Sequence, residues 1–230
     1  MTSEPLGAFD PESGRARLTT EIRRLMEYVV SSSADDGVYA DAALVARELA
    51  DQLAGHVRPD DRPRFRLTYD EVEEGRSFTL ASVMPFDMII GACNPMAPPI
   101  DISFEPDRAV GEVTFTPTYE GGPGLVHGAA LAAAFDIILT AANVMVDGAG
   151  PTVRLAIHYV KPTRIGVPCR FEGWVTEKTT RRTHSLGRLV QDGVVTVEAV
   201  GEFVNLNRKE LARSLERNGS SGSDSDHGRT

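Results

Sequence analysis

The segment from residue 125 to 146 has the sequence LVHGAALAAAFDIILTAANVMV. It is apolar on almost every side, and polar side chains interrupt it only at His127, Asp136, Thr140 and Asn143. Its alanines and leucines favour a helix, and the lack of a polar face indicates that protein surrounds this helix. The segment therefore predicts one long, buried central helix.

The same segment is long enough to cross a bilayer. Against a membrane span, Asp136 lies at its middle, where a carboxylate costs about 2.5–3.5 kcal/mol on insertion scales. No Lys or Arg flanks the segment closely enough to set an orientation. We therefore predict no membrane span, and a carboxylate inside an apolar helix indicates a functional residue because its burial is costly.

Strand patterns flank the helix on both sides. Before it, residues 66–72 and 77–84 are weak candidates, whereas 100–104 and 110–118 predict a hairpin that turns through Pro106 and Asp107. After it, four antiparallel strands are expected, at residues 152–160, 169–176, 183–191 and 194–206, with a type I′ turn at Asp192-Gly193. A curved antiparallel sheet can wrap the helix, and a second subunit can complete the cover, which predicts an α+β fold.

Three regions are predicted along the chain. Residues 1–63 form an N-terminal extension, in which two amphipathic helices within 15–56 make a hairpin. This extension is either a structural appendage or a lid over a substrate channel. Residues 64–206 form the main domain, and the low-complexity residues 207–230 are expected to be a largely disordered tail.

Composition excludes several function classes. The net charge of −9 argues against nucleic-acid binding, which needs clustered Lys and Arg. The two cysteines, Cys93 and Cys169, lie far apart and form neither a disulfide framework nor a metal-binding spacing. Residues 1–11 lack the basic flank and apolar core of a signal peptide. A cytoplasmic protein without a metal is therefore expected.

A glycine-rich loop, residues 120–124, leads into the start of the predicted helix. A helix start presents unpaired backbone N–H groups and the positive end of the helix dipole. Gly128 lets a substrate approach this backbone closely. Such a site can stabilise an oxyanion or polarise a carbonyl group.

The string GPGLVHGA at 122–129, followed by Asp136 nine residues after His127, resembles the hotdog thioesterase superfamily. Within it, the string is similar to the phenylacetate-pathway branch, whose motif is His-Gly-Gly with an aspartate at this spacing. Thr152 and the run YVKPTRIG at 159–166 agree with the resemblance, which covers roughly residues 78–206. The sequence departs from the motif at Ala129, where the family usually has a second glycine.

The resemblance implies a hotdog fold and an acyl-CoA thioesterase without a cofactor, since coenzyme A (CoA) enters only as part of the substrate. Asp136 would be the catalytic carboxylate, which either attacks the thioester carbonyl or activates water. The Gly128 N–H would polarise the carbonyl, His127 would position the loop, and Thr152 would assist the water or the carboxylate.

Structural roles compete with these assignments. His127 can serve as a helix cap, Asp136 as a satisfied structural carboxylate, and Thr152 as an ordinary strand residue. Local Lys and Arg side chains can bind the phosphates of CoA or merely solvate strand ends. The substrate-binding candidates are Asn94, Lys161, Arg164, Arg181 and Arg182.

Geometry adds a requirement for a second subunit. Gly128 and Asp136 lie eight residues apart, or about 12 Å along one helix axis. One carbonyl cannot touch both, because reacting atoms must lie within about 3–3.5 Å. If both act on one thioester, they come from different subunits of a homodimer, and whether dimers form tetramers stays open.

Two other functions stay open. A hotdog protein can bind acyl-CoA without hydrolysing it, although a pure binder gains nothing from Asp136 beside an anionic ligand. An acyl-CoA hydratase or dehydratase is the less favoured alternative, because no histidine closely follows Asn94-Pro95.

Overall fold

The computed structural model describes residue 10 and residues 12–57, 84–148 and 150–205. The weak strand predicted at 66–72, nearly all of the one at 77–84, the expected end of the helical pair at 58–63 and the tail 207–230 lie outside these residues.

Three helices and six strands make up the described chain, in the α+β class that the sequence predicts. The helices are α1 (Gly14–Ser31), α2 (Asp36–Ala54) and α3 (Gly128–Val144), and a short 3-10 helix covers Pro117–Tyr119. The strands are β1 (Asp101–Glu105), β2 (Arg108–Thr114), β3 (Thr152–Tyr159), β4 (Pro168–Lys178), β5 (Arg182–Gln191) and β6 (Val194–Val204).

All six strands form one antiparallel sheet in the order β1-β2-β4-β5-β6-β3. The predicted turn between β5 and β6 is confirmed, since Asp192 and Gly193 have φ values of 50° and 74°. The strand predicted at 110–118 is too long, because Pro117 begins the 3-10 helix. β3 pairs with β6 rather than with the next strand along the chain, so β3 lies at one edge of the sheet.

Helix α3 packs against one face of the sheet and supplies the centre of the core. Phe135, Ile138 and Leu139 are fully buried, and the rings of Phe135 and Phe171 meet edge to face with centroids 5.0 Å apart. Four strands approach α3 closely because each has a glycine where it faces the helix. These glycines are Gly111, Gly173, Gly187 and Gly201. A Cβ atom at any of the four would come within 2.4–3.0 Å of an α3 side chain.

One stripe of α3 is not fully covered by the residues that the structure describes. Ala129 and Val144 are exposed, and Ala133, Asp136 and Thr140 are half-buried. These five residues, called here the open stripe, follow helical spacing along one side of the helix. Among the described residues the sheet therefore leaves one side of α3 open, and the second subunit expected to complete the cover stays a prediction.

The N-terminal extension contains both predicted helices. The Arg23 guanidinium of α1 donates to the carbonyl oxygens of Gly91 and Asn94, at 2.7 and 2.8 Å. Arg15 lies over the ring of Phe86, 5.3 Å from its centroid. Helix α1 is thus anchored to the loop before β1, whereas no residue of α2 is buried. Within the described residues, no helix is both long and apolar enough to span a membrane.

The buried carboxylate of Glu172 links strands β2, β4 and β5 through arginine side chains. The Glu172 side chain is only 9% exposed and accepts hydrogen bonds from Arg188 at 2.6 Å, Arg170 at 3.1 Å and Arg108 at 3.4 Å. Burial alone would raise the pKa of Glu172, but the hydrogen bonds from Arg188 and Arg170 outweigh it and lower that pKa below 4.5. The ionised carboxylate therefore stabilises the folded state.

Glu172→Gln is expected to lower the free energy of unfolding by about 2 kcal/mol at neutral pH, because three arginines lose a charged acceptor. A lowered pKa means that this stabilisation is complete above the unfolded-state pKa and lost as pH falls through the folded-state pKa. Urea unfolding of both proteins, from pH 7 down to about pH 3, should therefore show the difference shrinking in acid.

The matched control is Glu112→Gln, since the Glu112 side chain is 65% exposed and contacts Arg170 at 3.3 Å. We expect a change below about 1 kcal/mol for this exposed pair. Equal stability of Glu172→Gln and the unmodified protein at pH 7 would contradict the assignment.

Candidate active site

The glycine-rich loop is fixed to the chain segment that follows β3. The Val126 N–H donates to the Thr163 carbonyl at 2.9 Å, and the Ile165 N–H donates to the Gly124 carbonyl at 3.0 Å. Gly124 has a φ of 72°, a conformation that glycine adopts without strain. The loop therefore delivers the start of α3 in a defined position.

His127 caps helix α3. Its Nδ1 accepts a hydrogen bond from the Ala129 N–H at 3.0 Å, and its own backbone N–H donates to the Tyr119 carbonyl at 2.8 Å. Gly121 packs on it so closely that a Cβ there would lie 2.9 Å from the His127 Cα. His127 therefore acts as the N-cap of α3, and its contacts with Tyr119 and Gly121 hold the loop in place.

The N–H groups of the first turn of α3 are nearly all paired. Ala129 donates to the His127 ring, and Ala130 and Leu131 donate to the His127 carbonyl at 3.0 and 3.3 Å. The Gly128 N–H has no acceptor among the described residues. It lies at the positive end of the helix dipole, which makes it a ready donor to a developing oxyanion.

Asp136 and Thr152 meet although they are 16 residues apart. The Thr152 hydroxyl donates to Asp136 Oδ1 at 2.6 Å. Thr152 opens the edge strand β3, and Asp136 lies on the open stripe of α3. Among the described residues no other hydrogen bond reaches the carboxylate, so Oδ2 is available to water or a substrate.

The predicted CoA-binding residues are not gathered in one place. Lys161 and Arg164 flank Thr163 beside the glycine-rich loop, and the Arg164 guanidinium pairs with Asp192. Arg181 lies in the β4–β5 turn, and Arg182 is the first residue of β5. Lys178, the last residue of β4, donates to the Val146 carbonyl just beyond α3. The two cation pairs therefore lie at opposite ends of α3.

The Asn94 side chain serves its own loop. Its amide donates to the Phe86 carbonyl at 3.1 Å, and its Oδ1 accepts from the Met96 N–H at 3.0 Å. Both polar atoms are thus engaged with the loop backbone. A substrate contact for Asn94 stays a prediction, and the geometry favours a structural role.

Sequence reasoning assigned no role to Tyr159, the last residue of β3. Its hydroxyl donates to the Gly128 carbonyl at 2.8 Å. The only signal in the sequence was its place in the run at 159–166, and nothing in that run shows which residue the ring reaches.

Known proteins resemble this chain in sequence pattern and in fold. Residues 123–198 match the thioesterase superfamily. A crystal structure of a thioesterase superfamily protein aligns with a TM-score of 0.73 and 26% identity, covering 85% of this chain and 97% of that chain. That coverage, about 196 of 230 residues, exceeds the 167 residues from 64 to 230, so the alignment includes part of the N-terminal extension.

Other solved structures align over shorter stretches. Zebrafish thioesterase superfamily member 2 has 19% identity and a TM-score of 0.48, covering 56% of this chain and 100% of that chain. The Escherichia coli PaaI protein of the phenylacetic acid degradation operon has 18% identity and a TM-score of 0.45, covering 47% of this chain and 80% of that chain. No curated protein sequence matches the chain.

The superfamily pattern spans the helix start, Asp136 and Thr152, and the aligned crystal structure shares the wrapped-helix architecture. The superfamily and the fold class predicted from the sequence are thereby confirmed. Residues 123–198 thus carry the sequence pattern of the thioesterase superfamily, and the sheet packed around α3 has the hotdog fold.

Proposed function

We propose that this protein hydrolyses acyl-CoA thioesters to the free acid and CoA. The observation that carries the proposal is the carboxylate of Asp136, which lies on the open stripe of α3 and is oriented by Thr152. A carboxylate that is held by one hydrogen bond and keeps its second oxygen available suits a base or a nucleophile.

Two routes use the same carboxylate. In the first, Asp136 takes a proton from water, the water oxygen adds to the thioester carbonyl, and the C–S bond breaks as the thiol leaves with a proton. In the second, Asp136 itself adds to the carbonyl, the C–S bond breaks, and CoA leaves as a thiolate that takes a proton from water. A second water then hydrolyses the resulting mixed anhydride, which releases the acid and restores the Asp136 carboxylate. In both, negative charge grows on the carbonyl oxygen and needs a donor.

The proposed donor is the Gly128 N–H of the partner subunit. Within one chain, Gly128 and Asp136 lie about 12 Å apart along α3, too far for both to act on one carbonyl. A two-fold axis near Ala132, midway between Gly128 and Asp136, would bring the start of each helix beside the centre of the other. The open stripe supports such a homodimer, as does the edge of β3 that pairs with no other strand among the described residues.

The proposed homodimer would also explain why the predicted CoA-binding side chains lie at opposite ends of α3. Lys161 and Arg164 lie at the Gly128 end of α3, and Arg181 and Arg182 lie at the other end. When two helices run antiparallel, the two ends of different subunits approach each other. Contacts from these side chains to the CoA phosphates are part of the proposal.

A protein that binds acyl-CoA without hydrolysing it is the alternative. It is less well supported, because an anionic ligand would be repelled by the Asp136 carboxylate. The hydratase alternative gains no support from the site, since the only histidine at the start of α3 is occupied as a helix cap.

Thiol release from a panel of acyl-CoA thioesters tests the proposal directly. The panel should vary chain length and include aromatic acyl groups, since the acyl preference is open. Hydrolysis of at least one member with a kcat/KM of about 10⁴ M⁻¹s⁻¹ or higher is expected. Binding of acyl-CoA without thiol release from any member would favour the binding protein instead.

Thr152→Val is expected to lower kcat by about tenfold or more, because the Asp136 carboxylate loses a hydrogen bond that is worth about 1.5–3 kcal/mol. Thr152→Ser keeps the hydroxyl and should stay near the unmodified protein. Steady-state kinetics of both variants make the comparison. Equal activity of the Val and Ser variants would reduce Thr152 to an ordinary strand residue.

A further inference from the structure

The backbone at Gly128 must be held in place by other groups if its N–H is to act as a catalytic donor. Glycine is the residue with the widest range of backbone conformations. A displacement of about 1 Å in a positioning group can cost about 100-fold in rate. Some other group must therefore hold the peptide next to Gly128 in a fixed orientation.

Two side chains hold that peptide, one at each polar atom. The carbonyl of the Gly128–Ala129 peptide accepts the Tyr159 hydroxyl at 2.8 Å, and its N–H donates to His127 Nδ1 at 3.0 Å. The peptide plane is thus fixed from both ends, and with it the direction of the preceding Gly128 N–H.

The Tyr159 ring also packs on Gly128 itself. A Cβ at position 128 would lie 3.0 Å from the Tyr159 hydroxyl oxygen and 3.1 Å from the ring carbon that bears it. The ring therefore occupies the side of Gly128 where other residues carry a side chain. It does so although Tyr159 is 51% exposed, so its placement is not explained by core packing.

The edge strand β3 connects both proposed catalytic groups. Thr152 at its start binds Asp136, and Tyr159 at its end binds Gly128. The strand runs antiparallel to α3 and fastens it at two points. Both contacts come from the strand that borders the proposed dimer interface.

We propose that Tyr159 is a positioning residue that aims the Gly128 N–H at the thioester carbonyl oxygen. This inference rests on the proposed thioesterase function. Since the N–H interacts most strongly with the oxyanion of the transition state, loss of the Tyr159 hydroxyl should lower kcat while KM changes little.

Tyr159→Phe in the full-length protein is the test, because the ring stays and only the hydroxyl is lost. We expect kcat to fall by about tenfold and KM to change less than about twofold. Tyr39→Phe is the matched control, since that hydroxyl binds Ser32 in the N-terminal extension and should leave kcat unchanged.

A double-mutant cycle separates positioning from a general structural role. Gly128→Pro removes the N–H, so adding Tyr159→Phe to it should cause less than about a twofold further loss if the tyrosine acts through that donor. A full tenfold further loss, or an unchanged kcat in Tyr159→Phe alone, would overturn the inference. If the unmodified protein hydrolyses no thioester, both the proposed function and this inference fail. If the unmodified protein is active and Tyr159→Phe leaves its kcat unchanged, only this inference fails.

Discussion

Asp136→Asn should lower kcat on acyl-CoA substrates by at least about 100-fold, or roughly 2.7 kcal/mol of transition-state stabilisation. Asparagine keeps the volume and an oxygen that accepts the Thr152 hydroxyl, so the fold and the local hydrogen bond can persist. What it loses is the charge needed to take a proton from water or to attack the carbonyl. Asp136→Ala should show a loss at least as large.

Two controls make this result specific. Circular dichroism and thermal unfolding should show that both variants fold as the unmodified protein does. Asp101→Asn removes a carboxylate from an exposed position at the start of β1 and should keep full activity. Retention of more than about a third of kcat in Asp136→Asn would contradict the proposed role of the carboxylate.

Gly128→Pro is the second substitution with a large expected effect, because proline has no backbone N–H. The residue before it, His127, has φ −61° and ψ 131°, a conformation that suits a residue preceding proline. Proline is also favoured at the first position of a helix, so α3 should still form. Loss of one oxyanion donor is expected to lower kcat by about 10²–10³-fold.

Gly128→Ala isolates the effect of the missing N–H. Alanine adds a Cβ that presses on the Tyr159 hydroxyl, as proline does, but it keeps the donor. We expect a much smaller loss of kcat in the alanine variant than in the proline variant. Equal losses would show that crowding against Tyr159, and not the donor, controls the rate.

Local sequence pattern predicted most of the fold. The apolar segment 125–146 contains α3 with an error of two or three residues at each end, and the Asp192-Gly193 turn was specified by its two residue types. The position of β3 was not predictable in this way. It pairs with β6, some 40 residues further along the chain, and alternation within a strand does not indicate its neighbour.

The open stripe shows a similar limit. Its apolar residues, Ala129, Ala133 and Val144, suit burial by the same chain or by a partner equally well. Sequence pattern therefore predicted the apolar helix correctly, but it did not indicate how the cover of that helix divides between the sheet and a second subunit.

The sequence predicted some residues of the candidate site, and others became evident only from the fold. Gly128, Asp136 and Thr152 were found because the motif keeps them in a fixed order, and the structure adds the 2.6 Å contact between the last two. Tyr159 lies 31 residues from Gly128, and only the fold brings them together. The separation of the cations at the two ends of α3 likewise depends on the path of the β4–β5 turn.

We propose that each active site combines Asp136 of one subunit with Gly128 of the partner subunit. A hybrid dimer tests it most directly, made from one Asp136→Asn subunit and one Gly128→Pro subunit and purified through two different affinity tags. If sites are shared, the hybrid holds one site with both groups intact and one with neither. We predict about half the activity of the unmodified dimer from a hybrid whose parents are each reduced about 100-fold. A hybrid as inactive as its parents would contradict the shared site.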